Sequence, residues 1–208
     1  MSFFTRRSLN KLQQAVISGD LTLLKKQFTK LDQTLLTEHR FNYDNSVCNL
    51  PELAIRSGQP KSLAHLLQAG CTRQSTRSDP LLYQALQHPQ QSLALMTVLL
   101  QAGLPVDYPG NDPESALFAC FRYCSDDTLM LHLSRLNEYG ANLNRSDAEG
   151  KTPLLMALQS DYKALVQMLI NSGAELPDEI PQGCCSEEII GYARRLADDL
   201  KIRQMMLS

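Results

Sequence analysis

The run Asp147-Ala-Glu-Gly-Lys-Thr-Pro-Leu-Leu-Met-Ala-Leu-Gln-Ser-Asp-Tyr-Lys-Ala-Leu-Val-Gln-Met-Leu-Ile-Asn-Ser-Gly-Ala174 decides the fold. It opens on turn residues, Asp147 and Gly150. Thr152 then caps a helix whose first residue is Pro153. This pairing suits a helix start, because proline's missing N–H would go unpaired there anyway. Leu154, Ala157 and Leu158 give that helix one apolar stripe. Ser160-Asp161 breaks it. Leu165, Val166, Leu169 and Ile170 stripe a second helix, which Gly173 ends in the left-handed conformation favoured there. Two short helices cannot bury their apolar faces alone, so the stretch needs neighbours built like itself.

The neighbours are present. Leu-Leu-Gln-Ala-Gly occurs at 66–70 and again at 99–103. The helix-ending glycines Gly70, Gly103, Gly140 and Gly173 are spaced 103 − 70 = 33, 140 − 103 = 37 and 173 − 140 = 33. With this period, helix–turn–helix content and the Thr152-Pro153-Leu154-x-x-Ala157 signature, in which Leu replaces the usual His, the chain resembles the ankyrin-repeat family over nearly its whole length. The resemblance implies an all-α solenoid of about five helix-turn-helix units with a C-terminal capping helix, forming a single domain over residues 1–208.

Taken in order, residues 1–36 make an N-terminal cap unit, with one stripe of Leu9, Leu12, Ala15 and Val16 and a second of Leu21, Leu23, Leu24 and Phe28. Ala15 to Ala54 is 39, six more than the period, and the polar segment Thr37–Ser46 reads as an enlarged loop. Unit 2 spans 47–72, with Pro51 in the first helical turn. Unit 3 spans 78–105. There Ala85 to Gly103 is 18, against 16 for Ala157 to Gly173, and the two extra residues fall in His88–Gln91. Unit 4 spans 112–144. Cys120 takes the core alanine position, and a 20-residue distance to Gly140 implies four residues inserted near Ser125–Thr128. Unit 5 spans 147–176. A cap helix over 185–206 puts Ile189, Ile190, Ala193, Leu196, Ala197 and Leu200 on one side, with Glu187 and Glu188 at the positive end of its dipole.

Length and composition fit this reading. The 208 residues suffice for about six 33-residue units, 43% are hydrophobic, and there is no Trp. A net charge of −2 gives no reason to expect nucleic acid. Residues 1–40 carry seven Lys/Arg against three Asp/Glu, and residues 111–208 carry nine against fifteen, a bias that ordinary solvated surface explains. Phe3-Phe4 runs straight into Thr5-Arg6-Arg7, so no secretory signal is visible. No segment approaches the roughly 18 apolar residues of a membrane span. A cytoplasmic monomer without a membrane contact is expected, its six cysteines free.

Catalysis needs converging polar groups around a nucleophile, acid or metal. No phosphate loop, Gly-x-Ser-x-Gly elbow or paired-His motif is present, so no enzyme and no cofactor are expected. Cys120 and Cys124 lie four apart, with His132 eight beyond. They read as a core residue, a helix end and a surface histidine rather than a metal site, which would need a fourth ligand. Cys184-Cys185 is an adjacent pair, which fits disulfide geometry badly. The other histidines, His39, His65 and His88, read as surface.

Binding is the expected function. Residues just after the core alanine stand at the end of each first helix and face the groove that the resemblance implies. They form one column of Arg56, Gln87, Arg122 and Gln159, and a second of Ser57, His88, Tyr123 and Ser160. The turns add Arg73, Arg77, Tyr108, Asn111, Glu149 and Lys151. Tyr and Arg are favoured anchors, since they combine contact area with a polar handle. The chain is therefore expected to bind another protein as an adaptor, inhibitor or immunity-type protein. The alternative is a host-directed effector, or a ligand-sensing or enzymatic protein with a site in the insertions at Thr37–Ser46 or Ser125–Thr128.

Overall fold

The computed structural model describes residues 3–107, 115–177, 179–181 and 183–207. The chain divides into two compact units, Met1–Pro105 and Val106–Ser208.

In the first unit, α1 (Phe3–Ser18) pairs with α2 (Leu21–Phe28), α4 (Leu50–Arg56) with α5 (Pro60–Gln68), and α6 (Leu81–Leu86) with α7 (Ser92–Gln101). The first helices pack on one another in the order α1, α4, α6, and the second helices in the order α2, α5, α7. Leu12, Ala15, Leu24, Leu53, Ala54, Leu63, Leu66, Leu82, Ala85, Leu95 and Leu99 are wholly buried between these layers.

The segment read as a polar loop is more ordered than expected. It takes in the end of a short helix, α3 (Gln33–Glu38), then β1 (Phe41–Tyr43) and the start of β2 (Ser46–Cys48), paired antiparallel with Phe41 opposite Cys48. Asp44 and Asn45 both take positive φ, 49° and 57°, the requirement of a type I′ hairpin turn that these two residue types tolerate. Phe41 and Cys48 anchor the hairpin in the core.

Glu52 fastens this unit together. It is wholly buried, and its carboxylate accepts from Asn49 N at 2.8 Å, Ser75 Oγ at 2.9 Å, Thr76 N at 2.7 Å and Thr76 Oγ1 at 2.6 Å. Asn49 caps α4 by accepting from Glu52 N at 2.9 Å, and its side-chain amide donates to Gln74 O. A capping box thereby holds the turn of the next repeat. Burial alone would raise the Glu52 pKa, but the hydrogen bonds from Thr76, Asn49 and Ser75 outweigh it and hold the group below its ordinary value.

Gly58 follows α4 at φ +67°, and a Cβ there would lie 2.5 Å from His88 Nε2. Gly140 has φ +86° with nothing within 4 Å of such a Cβ. Gly58→Ala is expected to cost about 2 kcal/mol, and Gly140→Ala only the roughly 1 kcal/mol of a left-handed alanine. Urea midpoints of the two variants check the difference.

In the second unit, α8 (Ala116–Tyr123) pairs with α9 (Asp126–Glu138), and α10 (Pro153–Gln159) with α11 (Lys163–Asn171), against which α12 (Glu187–Leu207) packs. Thr152 caps α10 by accepting from Leu155 N at 3.2 Å. The turns are tied by Asn144, which donates to Gly173 O and accepts from Glu175 N at 2.8 Å. Arg145 pairs with Asp107 at 3.4 Å.

The four residues inserted in unit 4 form no loop. Only Cys124 and Ser125 separate α8 from α9, and α9 has 13 residues against nine in α11. The insertion is one extra helical turn. His132 is likewise no surface residue. It is fully buried, because it stands eight before Gly140 as the core residues Leu95 and Leu165 stand eight before Gly103 and Gly173. The stripe expected on α12 is buried only at Ile189 and Ala193.

Candidate functional site

Each unit carries a depression at its first-helix ends. In the first unit a cavity of about 230 Å³ is lined by Tyr43, Asp44, Arg56, Arg77, Gln87 and His88, among others. It joins four of the residues expected from the sequence with two from the hairpin. Arg56 hydrogen-bonds Ser46 Oγ, approaches Asp44 at 3.9 Å and lies over the Tyr43 ring at 5.6 Å. These contacts set the guanidinium on one wall. Arg77 is exposed on the turn that Glu52 holds.

In the second unit, Phe118, Phe121, Met156 and Ala148 give a depression of about 330 Å³ an apolar lining, with Arg122, Asp147 and Glu149 also contributing. Asp147 Oδ1 fixes the turn by accepting from Glu149 N at 3.0 Å and Lys151 N at 2.7 Å. Tyr123 is 41% exposed, with the Arg122 guanidinium 5.9 Å over its ring. Gln159 is exposed at the end of α10.

Several expected contact residues are engaged internally. Ser57 Oγ donates to Leu53 O at 2.7 Å and Ser160 Oγ to Ala157 O at 3.0 Å, so both hydroxyls turn back onto their helices. His88 Nδ1 accepts from Gln91 N at 3.1 Å and Gln90 N at 3.3 Å, which ties the entry to α7. Burial holds the His88 pKa below its ordinary value, in keeping with a neutral acceptor. Arg73 lines a separate depression with Leu67, Gln68, Val98 and Gln101 of the second helices. Tyr108 and Asn111 lie outside the described residues.

The hairpin insertion offers a further depression of about 460 Å³ against α1. Its lining includes Arg6, Gln13, His39, Arg40 and Asn42. No carboxylate or thiol lines it, so it holds no acid–base or nucleophilic pair. Among the described residues no group of three His, Cys, Asp or Glu is placed to hold a metal ion. No helix among them is long and apolar enough to cross a membrane. Sequence reading missed Tyr43 and Phe121. The Asp44-Asn45 turn signal could have exposed the first. The second lies on α8, where the sequence marked only the core position Cys120.

No protein-family model matches the chain, and no curated protein matches it in sequence. Among solved structures, the ankyrin repeat domain of human ASB11 matches with a TM-score of 0.60 and 18% identity, over 89% of this chain and 82% of that one. The two share a fold.

Proposed function

We propose that this chain, which has the ankyrin-repeat fold, is a non-catalytic interaction protein that grips a protein partner through its first-helix ends and turns. The observation that carries the reading is the depression of the second unit. An apolar lining of Phe118, Phe121 and Met156 beside the opposite charges of Arg122 and Glu149 suits an apolar side chain flanked by polar ones. Buried anchors ringed by polar contacts are where binding energy concentrates. In the first unit, Arg56 and Arg77 suit a carboxylate on the partner. An adaptor, inhibitor or immunity-type role uses such surfaces without bond making.

The test is capture from the native host's lysate by the full chain, beside the triple variant R56A/R122A/Y123A of equal helicity by circular dichroism. A partner held by the wild type and weakened at least about tenfold in the variant supports the reading. A partner held equally by both overturns this surface.

A further inference from the structure

The depression between α1 and the hairpin has the chemistry of an anion site, and the protein-binding surface does not use it. It measures about 460 Å³. Arg6, Asn10 and Gln13 line it from α1, at i, i+4 and i+7 and so on one helical face. His39, Arg40 and Asn42 line it from the hairpin side. The buried side chains of Leu9 and Phe41 back it. Two guanidiniums and three carboxamides thus meet across one hollow, and no carboxylate lines it.

Several of these groups are set in place. Gln13 Nε2 donates to Asn42 O at 2.7 Å, which fixes the spacing of the two walls. Arg40 Nη1 donates to Thr37 O at 2.8 Å and Glu38 O at 3.1 Å. These carbonyls belong to the last turn of α3, so one edge of the guanidinium is anchored while Nε and Nη2 remain as donors. The His39 ring meets Phe41 edge-on, with 4.7 Å between centroids. Arg6 is exposed and has no ion-pair or hydrogen-bond partner among the described residues. It also stands near the positive end of α1, whose first turn holds no acidic residue. A cation costs stability there. Burial, and then the Arg40 charge, hold the His39 pKa below its ordinary value. Positive charge therefore collects at this spot without an anion to offset it.

We propose that the depression binds a small phosphomonoester with a hydroxylated body, of the sugar phosphate class. A phosphate dianion matches two guanidiniums in charge, and its three free oxygens take more donors than the two of a carboxylate. The volume exceeds what a phosphate group alone fills and falls in the range of about 300–1,000 Å³ usual for small-molecule sites. Asn10, Asn42 and the Gln13 Oε1 are placed to exchange hydrogen bonds with hydroxyls of the body.

The test is an NMR titration of the full chain with ribose 5-phosphate and glucose 6-phosphate, beside ribose and inorganic phosphate. It is read on the His39 ring and on the amides of residues 6–13 and 39–42. At least one sugar phosphate is expected to bind with a Kd below about 1 mM. Inorganic phosphate should bind at least about tenfold more weakly, and ribose not measurably. Arg6→Gln changes an exposed residue and should keep the fold, yet weaken the sugar phosphate at least about tenfold through loss of a charge-assisted contact. Arg40→Lys keeps the charge, loses the fork and should weaken it at least about fivefold. The triple variant R56A/R122A/Y123A should bind the sugar phosphate as the wild type does, so this site and the protein-binding surface stand or fall separately. The proposal is overturned if neither sugar phosphate binds below about 1 mM, or if wild type and Arg6→Gln bind equally. Inorganic phosphate binding as tightly as the sugar phosphates also overturns it. A phosphoserine peptide that binds more tightly than either sugar phosphate overturns it too, in favour of a phosphorylated protein ligand.

Discussion

Replacing Glu52 by glutamine is expected to destabilise the chain by about 3 kcal/mol, the loss of charge-assisted hydrogen bonds at a buried site. Both carboxylate oxygens accept from a backbone N–H, Asn49 N on one and Thr76 N on the other. Either orientation of a glutamine amide turns its NH2 toward one of these donors and leaves it without an acceptor. The loss is felt both at the start of α4 and in the turn at Ser75–Thr76. The urea midpoint measures it. Acid adds a second signature. Because the folded pKa of Glu52 is depressed, its stabilisation is complete above the unfolded value of about 4.3 and fades as pH falls through the folded value. The gap between wild type and Glu52→Gln should therefore narrow as pH drops below about 4.3. A gap that stays constant into acid would show that the charge does not contribute.

Leu154→Ala is expected to cost about 3 kcal/mol, through lost transfer energy and the cavity left behind. Leu154 is wholly buried within α10. Leu131→Ala is the control. That leucine is 56% exposed on α9 and should change stability by less than about 0.5 kcal/mol. Denaturant titration of both variants separates burial from residue type. Equal effects would mean that α10 does not pack as described.

The Thr152-Pro153 start, the paired stripes and the four glycines at φ between +81° and +97° were legible because each is a local signal repeated in register. The Asn49-x-x-Glu52 capping box is a local signal set within four residues, but it was not read from the sequence. The hold of Glu52 on Ser75 and Thr76 was not legible, because it joins groups more than 20 positions apart. His132 misleads by type, since histidine is usually taken as surface. Only its place, eight before Gly140, marks it as core. At the candidate site, exposure of Arg77, Arg122 and Tyr123 followed from position. The inward turn of Ser57 and Ser160 did not, because a short hydroxyl at a helix end can serve either its own backbone or a partner.

The extra turn of α9 also says something about how this chain tolerates changes of length. Four added residues advance a helix by about 400°, which is close to one full revolution, so Leu133 and Leu136 keep their bearing on the core. Two added residues would swing that face through about 200° and turn it outward. The unit with two extra residues carries them outside the helix, in a connection of five residues (87–91) where unit 5 has three (160–162). Insertions here are thus filtered by angle rather than by size. A scan of one- to four-residue insertions at the start of α11 should be most damaging at two residues and recover at four, in step with the helical turn.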